Sequence, residues 1–538
     1  MRVALGFANR AGLARNNLGY RIVEQWLAPR SDIDLEFFHL PEEGVPRPGQ
    51  PVRTEPSGAP LSAFDLVLFS LSFEGDAPHI PALLEAGGLP AQADEREAGH
   101  PWVIAGGAAV MINPEPFAAF FDALLVGEAE ALLPDLIEAA RGRRSAGRAS
   151  QLATLAEIPG AVVPLLREHC VWAVREGALG DGGRVSLRSA SRAWLDSPEV
   201  AFDAPVSTVR ASESAVWSAR LPREAHFGET LLLEVARGCP RHCRFCVATR
   251  IYRPLRERPV SELVARARAM GVPGDTVGLL ALSAGETRGL EELVGKLGEL
   301  DFRLSIASLP AVFDRPEALA GLVRAGASTL TLAPEAGTDR LRALAGKPFR
   351  NEAILETVRT IGSSGVRRVK AYFLIGLPFE TDEDVRGIVD LLHGMRECLP
   401  RAVALSVTAN PFAPKPRTPF QWAPMAPPER LAKAARILAR GVPRGVRLRV
   451  KSLREARRHA AFTRGDARWA ARLLRAWRED RPLAQILARE GSTFEDWTGA
   501  IDEDSALPWG YLLGAGEMES LREEWKRAQR EFESGEST

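Results

Sequence analysis

The strongest constraint on the fold is that short apolar runs alternate with helical stretches in two long segments of this chain of 538 residues. In the first segment, about residues 1–145, helical periodicity falls at Gly19–Leu27 and Pro116–Phe121. The strands predicted there are Arg2–Ala8, Leu35–His39, Asp65–Leu71, Trp102–Ala105 and Ala123–Val126. Alternating strands and helices favour a parallel sheet with helices on both faces. Residues 1–145 are therefore predicted to form a Rossmann-like α/β domain.

The second segment starts at Thr230 and shows the same alternation more sharply. Six strands are predicted: Thr230–Ala236, Val277–Leu282, Leu304–Ala307, Thr329–Leu332, Val369–Ile375 and Val403–Val407. Amphipathic helical stretches separate them, as in a chain of βα units. Residues 229–425 are therefore predicted to form a parallel barrel, or a partial (β/α)6 barrel.

The two remaining regions differ from these segments in composition. Residues 146–228 are rich in Gly, Ser and Arg and are interpreted as a linker with some short strands. Residues 426–538 are predicted to be helical. From Glu429 to Arg478 they carry sixteen basic against three acidic residues, a net charge of +13. This stripe could bind RNA, with Trp469 and Trp477 as stacking candidates, but we favour a solvated arginine-rich surface with both rings in the core.

Whole-chain composition excludes several classes of protein. The length indicates about three domains. Lys and Arg total 69 and so do Asp and Glu, so a globally basic nucleic-acid binder and an acidic disordered chain are excluded. The sequence contains no run of eighteen apolar residues, so no membrane-spanning helix is predicted. The first residues show no signal-cleavage pattern. The chain is therefore expected to be cytoplasmic, with no membrane partner.

Three of the five cysteines lie within eight residues, directly after the first predicted barrel strand. Cys239, Cys243 and Cys246 have the spacing C-x3-C-x2-C. Three thiolates on one loop suit an iron–sulfur cluster or zinc, and buried thiols are the third alternative. His242 is adjacent to Cys243, which makes it a poor ligand for the same ion, and Cys170 and Cys398 are remote in sequence. Three ligands would leave one metal position open for chemistry.

These residues resemble the radical S-adenosylmethionine superfamily. The cysteine spacing, with Phe245 before the third Cys, is similar to the family's cluster loop. Ser283–Glu286 after the second strand resembles the Gly-Gly-Glu motif, although Ala284 replaces its first Gly. Ser305 and Ser308, on and just after the third strand, lie where the family often has a polar cofactor contact. Similar motifs that contain Glu335 and Gly376 follow the fourth and fifth strands, and the likeness extends through Phe412–Trp422.

The resemblance implies cofactors and an activity. Cys239, Cys243 and Cys246 would hold a [4Fe–4S] cluster, and S-adenosylmethionine would be cleaved reductively to a 5′-deoxyadenosyl radical. The expected contacts to S-adenosylmethionine are Gly285, Glu286, Ser305, Ser308, Glu335 and Gly376. A reductant of the flavodoxin or ferredoxin type is the expected partner. The substrate, a small molecule or an RNA, and the residues that act on it are left open.

The N-terminal segment resembles the cobalamin-binding-like domain that precedes many such barrels. Ser70–Ser72, Val103–Gly107 and Phe121–Glu130 carry this likeness, which allows cobalamin as a further cofactor. The D-x-H-x-x-G loop that ligates cobalt in many cobalamin proteins is absent. Methylthiotransferases of the family carry three more Cys at this end, whereas residues 1–169 contain none. Two alternatives stay open: a cobalamin-dependent radical methyltransferase, and a non-catalytic iron–sulfur or zinc protein that binds RNA.

Overall fold

The structure, a computed structural model, describes residues 1–143, 146–166, 218–221 and 229–535. The chain divides into two compact units. Unit 1 comprises Met1–Ser214, Arg458–Thr498 and Asp502–Ser520, and unit 2 comprises Ala215–Arg457, Gly499–Ile501 and Leu521–Thr538. The C-terminal region thus contributes to both units. Among the helices in the described ranges, none has the length and apolar character needed to cross a membrane.

Unit 1 contains a six-stranded sheet in the order β2-β1-β3-β4-β5-β6. Its strands are β1 (Arg2–Arg10), β2 (Asp34–Leu40), β3 (Leu66–Ser70), β4 (Trp102–Gly106), β5 (Ala123–Leu125) and β6 (Ala161–Val162). All neighbours are parallel except β5 and β6. The helices are α1 (Ala11–Arg15), α2 (Leu18–Leu27), α3 (Ile80–Ala86), α4 (Ala108–Ile112), α5 (Ala129–Arg141) and α6 (Arg148–Ala156). The predicted parallel α/β fold of this segment is confirmed.

The centre of this sheet is apolar on both faces, as expected for parallel strands covered by helices. Every residue of β3 is buried, and the buried carboxylate of Asp122 is paired with arginines. Asp122, fully buried before β5, accepts from Arg96 Nε at 3.2 Å, from the Val103 N–H at 2.7 Å and from Arg148. Burial alone would raise the pKa of Asp122, but the two guanidinium groups lower it. This network joins β4, β5 and α6.

Unit 2 begins with an antiparallel edge strand and continues as a series of βα units. Its strands are β7 (Ser218–Arg220), β8 (Thr230–Glu234), β9 (Ala236–Arg237), β10 (Arg256–Glu257), β11 (Thr276–Leu280), β12 (Arg303–Ile306), β13 (Thr329–Glu335), β14 (Arg368–Ile375), β15 (Ala404–Pro411) and β16 (Arg447–Val450). Its helices are α7 (Ala248–Ile251), α8 (Val260–Met270), α9 (Leu290–Glu299), α10 (Pro316–Arg324), α11 (Asp339–Leu344), α12 (Asn351–Ser363), α13 (Asp382–Cys398) and α14 (Pro428–Gly441).

The strands of unit 2 follow one another in chain order. One sheet has the order β12-β11-β8-β7 and the other β13-β14-β15-β16. A parallel bridge between Leu309 and Leu332, with the Leu309 N–H 2.9 Å from the Thr331 carbonyl oxygen, connects the end of β12 to β13. The predicted partial barrel of parallel strands is confirmed. Local sequence signals mark where its helices begin. In α13, for example, Thr381 and Asp384 form a capping box at the N-terminus.

The structure corrects two details of the sequence analysis. A seventh parallel strand, β16, pairs with β15 inside the region predicted to be helical. Its sequence, Arg-Leu-Arg-Val, is short and half charged, so apolar periodicity does not identify it. The helix predicted at Pro116–Phe121 is a 3-10 segment, Glu115–Phe120.

The predicted linker and the C-terminal region are described in part. Helix α6 and β6 lie within residues 146–228, of which 167–217 and 222–228 are outside the described residues. The remaining helices are α15 (Leu453–Thr463), α16 (Arg468–Arg478), α17 (Leu483–Arg489) and α18 (Ala515–Ser534). The domain boundaries inferred from the sequence stay predictions.

Candidate functional site

The cysteine loop starts with a backbone conformation that glycine favours. Gly238, between β9 and Cys239, has φ +90°. A Cβ atom at this position would lie 2.7 Å from the Tyr252 carbonyl oxygen and 2.8 Å from that of Pro254. Neither oxygen is the end of a flexible side chain, so a larger residue would force the backbone apart. Gly238 therefore fixes where the loop leaves the barrel.

The three thiols of this loop share one environment. Cys243 is 7% exposed, and Cys239 and Cys246 are half-buried. Burial raises the pKa of all three thiols and that of Cys243 to about 12, and neighbouring thiolates raise the pKa of Cys239 and Cys243 further. Each thiol therefore lies within electrostatic range of another. Without a compensating cation the loop holds protonated thiols, so thiolates here need a positive centre such as a metal cluster.

The donor set fits an iron–sulfur cluster by its chemistry, because three soft sulfur ligands come from one short loop. Within the ranges that the structure describes, no three His, Cys, Asp or Glu side chains are gathered around the position of a single metal ion. The ring of His242 contacts Arg253 at 2.5 Å through Nδ1.

Glu286, which follows β11, lies beside this loop. Its carboxylate pairs with Arg241 of the loop and accepts from the Ser283 hydroxyl. Burial alone would raise the pKa of Glu286, but these two hydrogen bonds lower it. Arg241 also stacks on the Phe349 ring at 5.0 Å. Arg241 was not predicted from the sequence, although its place between two cluster cysteines is a usable signal.

Glu335 is brought to the same loop from the end of β13. Its φ is +69°, a strained value for a residue with a side chain, at an irregularity between Leu332 and Glu335 in the pairing with β14. Lys347 Nζ lies 3.0 Å from Glu335 Oε1 and 2.7 Å from the Ala333 carbonyl oxygen. Lys347 lowers and Glu335 raises the pKa of Cys243. Lys347 was missed because a lone Lys outside a motif has no sequence signal.

The two predicted glycines have packing roles. A Cβ on Gly285 would lie 2.6 Å from Pro310 Cδ, in the loop after β12. Gly376 has φ +79°, and a Cβ there would lie 2.6 Å from Leu431 Cδ2. The N–H of Gly376 donates to Glu380 Oε1 at 2.9 Å, so this amide already has a partner.

The two predicted serines are not joined to the cysteine loop by a hydrogen bond. Ser305 is exposed on β12, and its Oγ lies 3.4 Å from where a Cβ on Gly278 would stand. Ser308 is half-buried in the following loop. Neither hydroxyl makes a hydrogen bond within the described part of the chain.

The C-terminal helix α18 holds the cysteine loop through Arg244. The buried guanidinium of Arg244 donates to Glu531 at 2.6 and 3.1 Å, to Glu524 at 3.2 Å and to the Leu344 carbonyl oxygen at 3.0 Å. Trp525 of the same helix stacks on Phe379 with a centroid distance of 5.7 Å. The sequence predicted only that this region is helical.

Acidic partners neutralise one part of the basic C-terminal stripe, the arginines of α16. Trp469 is fully buried, so its predicted alternative role as a stacking platform is wrong, and the Trp477 ring N–H donates to the Pro46 carbonyl oxygen at 2.8 Å. The arginines of α16 pair with carboxylates: Arg468 with Asp466, Arg472 and Arg475 with Glu490, and Arg478 with Glu85. Trp469 is therefore a core ring, as the favoured interpretation holds, whereas Trp477 is half-buried.

The chain is similar to known proteins in both segments. Residues 19–164 match the family described as "Radical SAM proteins, N-terminal", and residues 233–392 match "Radical SAM superfamily". An uncharacterised protein of Methanocaldococcus jannaschii is 38% identical over 201 residues, which is 37% of this chain and 44% of that protein. The ribosomal protein uS12 methylthiotransferase RimO of Desulforudis audaxviator is 26% identical over 235 residues, 40% of this chain and 50% of that one.

A solved structure shares the fold over most of the length. It is the radical S-adenosylmethionine methyltransferase TsrM from Kitasatospora setae, with a TM-score of 0.51 and 14% identity over 89% of this chain and 99% of that one. The alignments to the curated relatives above cover only about half of those proteins. The two family matches fall on the two predicted α/β segments, the N-terminal model on the first and the superfamily model on the second. They identify the chain as a member of the radical S-adenosylmethionine superfamily.

Proposed function

We propose that this chain is a radical S-adenosylmethionine enzyme. The observation that carries the proposal is the cysteine loop after the first barrel strand, with Glu286 and Glu335 beside it. In this proposal Cys239, Cys243 and Cys246 hold a [4Fe–4S] cluster with one iron free of protein ligands. The cluster would supply the electron that cleaves S-adenosylmethionine to methionine and a 5′-deoxyadenosyl radical, which takes a hydrogen atom from the substrate.

The two carboxylates define how the cationic ligand would be received. Glu286 pairs with Arg241 and Glu335 with Lys347, so each carboxylate already neutralises a protein cation. In this proposal Glu286 would hold the ammonium group of S-adenosylmethionine, and Glu335 would add a favourable negative charge. Gly285, Ser305, Ser308 and Gly376 are the further proposed contacts.

Anaerobic reconstitution with iron and sulfide tests the cluster part of the proposal. We expect about four iron atoms per chain, as in a [4Fe–4S] cluster. Cys239→Ala, Cys243→Ala and Cys246→Ala should each lose most of this iron. Cys398→Ala, which removes a half-buried thiol from the end of α13, is the matched control and should keep it. Equal iron in all four variants, or stoichiometric zinc instead of iron, would contradict the proposal.

A second candidate, a cobalamin-dependent radical methyltransferase, is favoured by the sheet of unit 1. The TsrM structure named above contains cobalamin and a [4Fe–4S] cluster. The described imidazoles of unit 1 all have protein partners: His39 contacts the Tyr20 hydroxyl, His79 the Ala8 carbonyl oxygen, His100 the Glu97 N–H and His459 the Glu74 carboxylate. We therefore derive no methyl-transfer step. Titration with hydroxocobalamin, followed by its visible spectrum, decides whether this candidate is kept.

The remaining expectations belong to the same proposal. We propose that the enzyme acts in the cytoplasm and receives electrons from a flavodoxin or ferredoxin. We also propose the domain division at residues 1–145, 146–228, 229–425 and 426–538.

A further inference from the structure

The barrel strands have two chemically different faces. Parallel strands joined in order by right-handed crossovers carry their helices on one face. Along β14, Val369, Ala371 and Phe373 are buried, as expected for the helix-covered face. Lys370 and Tyr372 alternate with them and are half-buried, so they point to the opposite face, which we call the inner face.

Strand β16 adds cations to this inner face. In the register of the sheet Lys370 pairs with Ser406 of β15, and Ser406 pairs with Arg447 of β16. One step further, Thr408 pairs with Arg449. The ladder continues to Lys451, whose N–H lies 3.0 Å from the Ala409 carbonyl oxygen. Side chains of paired residues share a face, so Lys370, Arg447, Arg449 and Lys451 form one group, which we call the cationic row.

The spacing of the cationic row suits one extended ligand. Same-face residues on a strand are about 7 Å apart, and neighbouring strands are about 5 Å apart. Lys370 and Arg447, on strands separated by β15, can therefore reach the same group with their long side chains. Arg447, Arg449 and Lys451 follow one another along the edge strand and are all exposed.

The charges of the cationic row are uncompensated. None of its four side chains makes a hydrogen bond or ion pair within the residues that the structure describes, in contrast to the paired arginines of α16. The strands β13–β16 carry one carboxylate, Glu335, and it is paired with Lys347. Four cations on one face, none of them paired with a carboxylate, raise the local positive potential, which favours an anionic ligand.

We propose that the cationic row binds phosphate groups of the substrate. This inference rests on the proposed function, because it assigns a substrate class to the same barrel. Arginine binds phosphate oxygens through paired N–H donors, and lysine adds a point charge. The phosphates would lie along β14–β16 and anchor the substrate away from the reacting atom, whose position is set at the cysteine loop.

Calorimetric titration of the full chain at low salt tests this inference with two probes, inorganic pyrophosphate and a short single-stranded RNA. The double variant Arg447→Gln, Arg449→Gln should weaken binding at least tenfold. The matched control Arg436→Gln, Arg440→Gln removes two exposed charges from α14, in the helix layer, and should leave binding unchanged. Lys370→Gln repeats the test from another strand if the double variant does not fold.

Each result has a defined meaning. Variant-sensitive binding of pyrophosphate supports a small phosphorylated substrate, and variant-sensitive binding of RNA alone supports a nucleic-acid backbone. No binding of either probe, or equal loss in both double variants, overturns the inference. Deoxyadenosine formation by the wild-type chain is measured separately without either probe. A chain that makes deoxyadenosine but fails the titration therefore contradicts this inference and leaves the proposed function intact.

Discussion

At the scale of single residues, strained backbone marks the carboxyl ends of the barrel strands. Glu335, Phe379 and Arg417 all have φ values between +62° and +69°, and they lie at or after the ends of β13, β14 and β15. Side chains rarely adopt this conformation, and it concentrates at functional sites. The strain places Glu335 next to Lys347 and within electrostatic range of Cys243.

Replacing Glu335 tests its role in binding the cationic cofactor. We expect Glu335→Gln to weaken S-adenosylmethionine binding about tenfold, which corresponds to about 1.4 kcal/mol, because the neutral amide loses the charge attraction. Equilibrium dialysis of the reconstituted protein measures this affinity. The control, Glu299→Gln at the exposed end of α9, should bind like the wild type. Unchanged affinity in Glu335→Gln would remove this residue from the proposed site.

Glu380 predicts a pH dependence of stability. Burial raises the pKa of Glu380 to about 7 in the folded chain, above its ordinary value of 4.5. Between these values the folded state holds a proton that the unfolded state has released, so the free energy of unfolding falls as pH rises. Glu380→Gln removes this pH-dependent contribution to the free energy of unfolding and keeps an acceptor for the Gly376 N–H.

Thermal unfolding at several pH values measures this effect. From pH 5 to 8 the midpoint of the wild type should fall relative to that of Glu380→Gln. Glu383→Gln, an exposed neighbour on α13, should follow the wild type. Parallel curves for Glu380→Gln and the wild type would show that the pKa of Glu380 is not raised.

At the scale of elements, the last helix of the chain stabilises the cysteine loop. Two carboxylates of α18, Glu524 and Glu531, hold Arg244, which stands directly after Cys243. Phe532 of α18 also stacks on Phe379, with ring centroids 4.9 Å apart. The loop therefore depends on a segment almost three hundred residues away in sequence.

We expect Glu531→Gln to retain less iron after reconstitution than the wild type, because a charge-assisted pair of hydrogen bonds to Arg244 becomes weaker. Iron content per chain and the rate of its loss to a chelator are the measurements. Glu533→Gln changes an exposed carboxylate on the same helix and serves as the control. If both variants lose iron at the wild-type rate, α18 does not stabilise the loop.

The same scale shows what the sequence could predict. Strands β8 and β11–β15 were predicted from apolar runs because each is buried on its helix-covered face. Strand β16 was missed, since its arginines alternate with half-buried apolar residues at the sheet edge. The cysteine positions were predicted from spacing. Arg241, Lys347 and the contact between Arg244 and α18 depend on tertiary structure, and no local pattern encodes them.

At the scale of the whole molecule, the division into two units does not follow chain order. Arg458–Thr498 and Asp502–Ser520 belong to the unit of the N-terminal sheet. Within unit 1 the Asn113 side chain donates to the Thr463 and Gly465 carbonyl oxygens at 3.1 and 2.8 Å, and the Tyr511 hydroxyl donates to Glu115 at 2.7 Å. Composition predicted a separate C-terminal region because the density of basic residues rises abruptly after residue 426. Composition does not show which residues pack together, so it could not predict that part of this region belongs to unit 1.

The stability of unit 1 depends on Asp122. Asp122→Asn would leave Arg96 and Arg148 buried without a carboxylate, and breaking such a pair costs about 3–5 kcal/mol. In urea unfolding followed by circular dichroism, the first transition of Asp122→Asn should occur at a lower urea concentration than that of the wild type. Asp135→Asn, an exposed change on α5, is expected to leave the curve unchanged. Equal curves for both variants would contradict the structural role of this network.

The most direct test of the account is the formation of 5′-deoxyadenosine. The reconstituted protein is incubated without oxygen with dithionite and S-adenosylmethionine, and 5′-deoxyadenosine is quantified by mass spectrometry. We predict that the wild type and Cys398→Ala produce it and that Cys243→Ala does not. Production by Cys243→Ala at the wild-type rate, or none by a wild-type chain that carries its full complement of iron, would contradict the proposal that this loop drives radical chemistry.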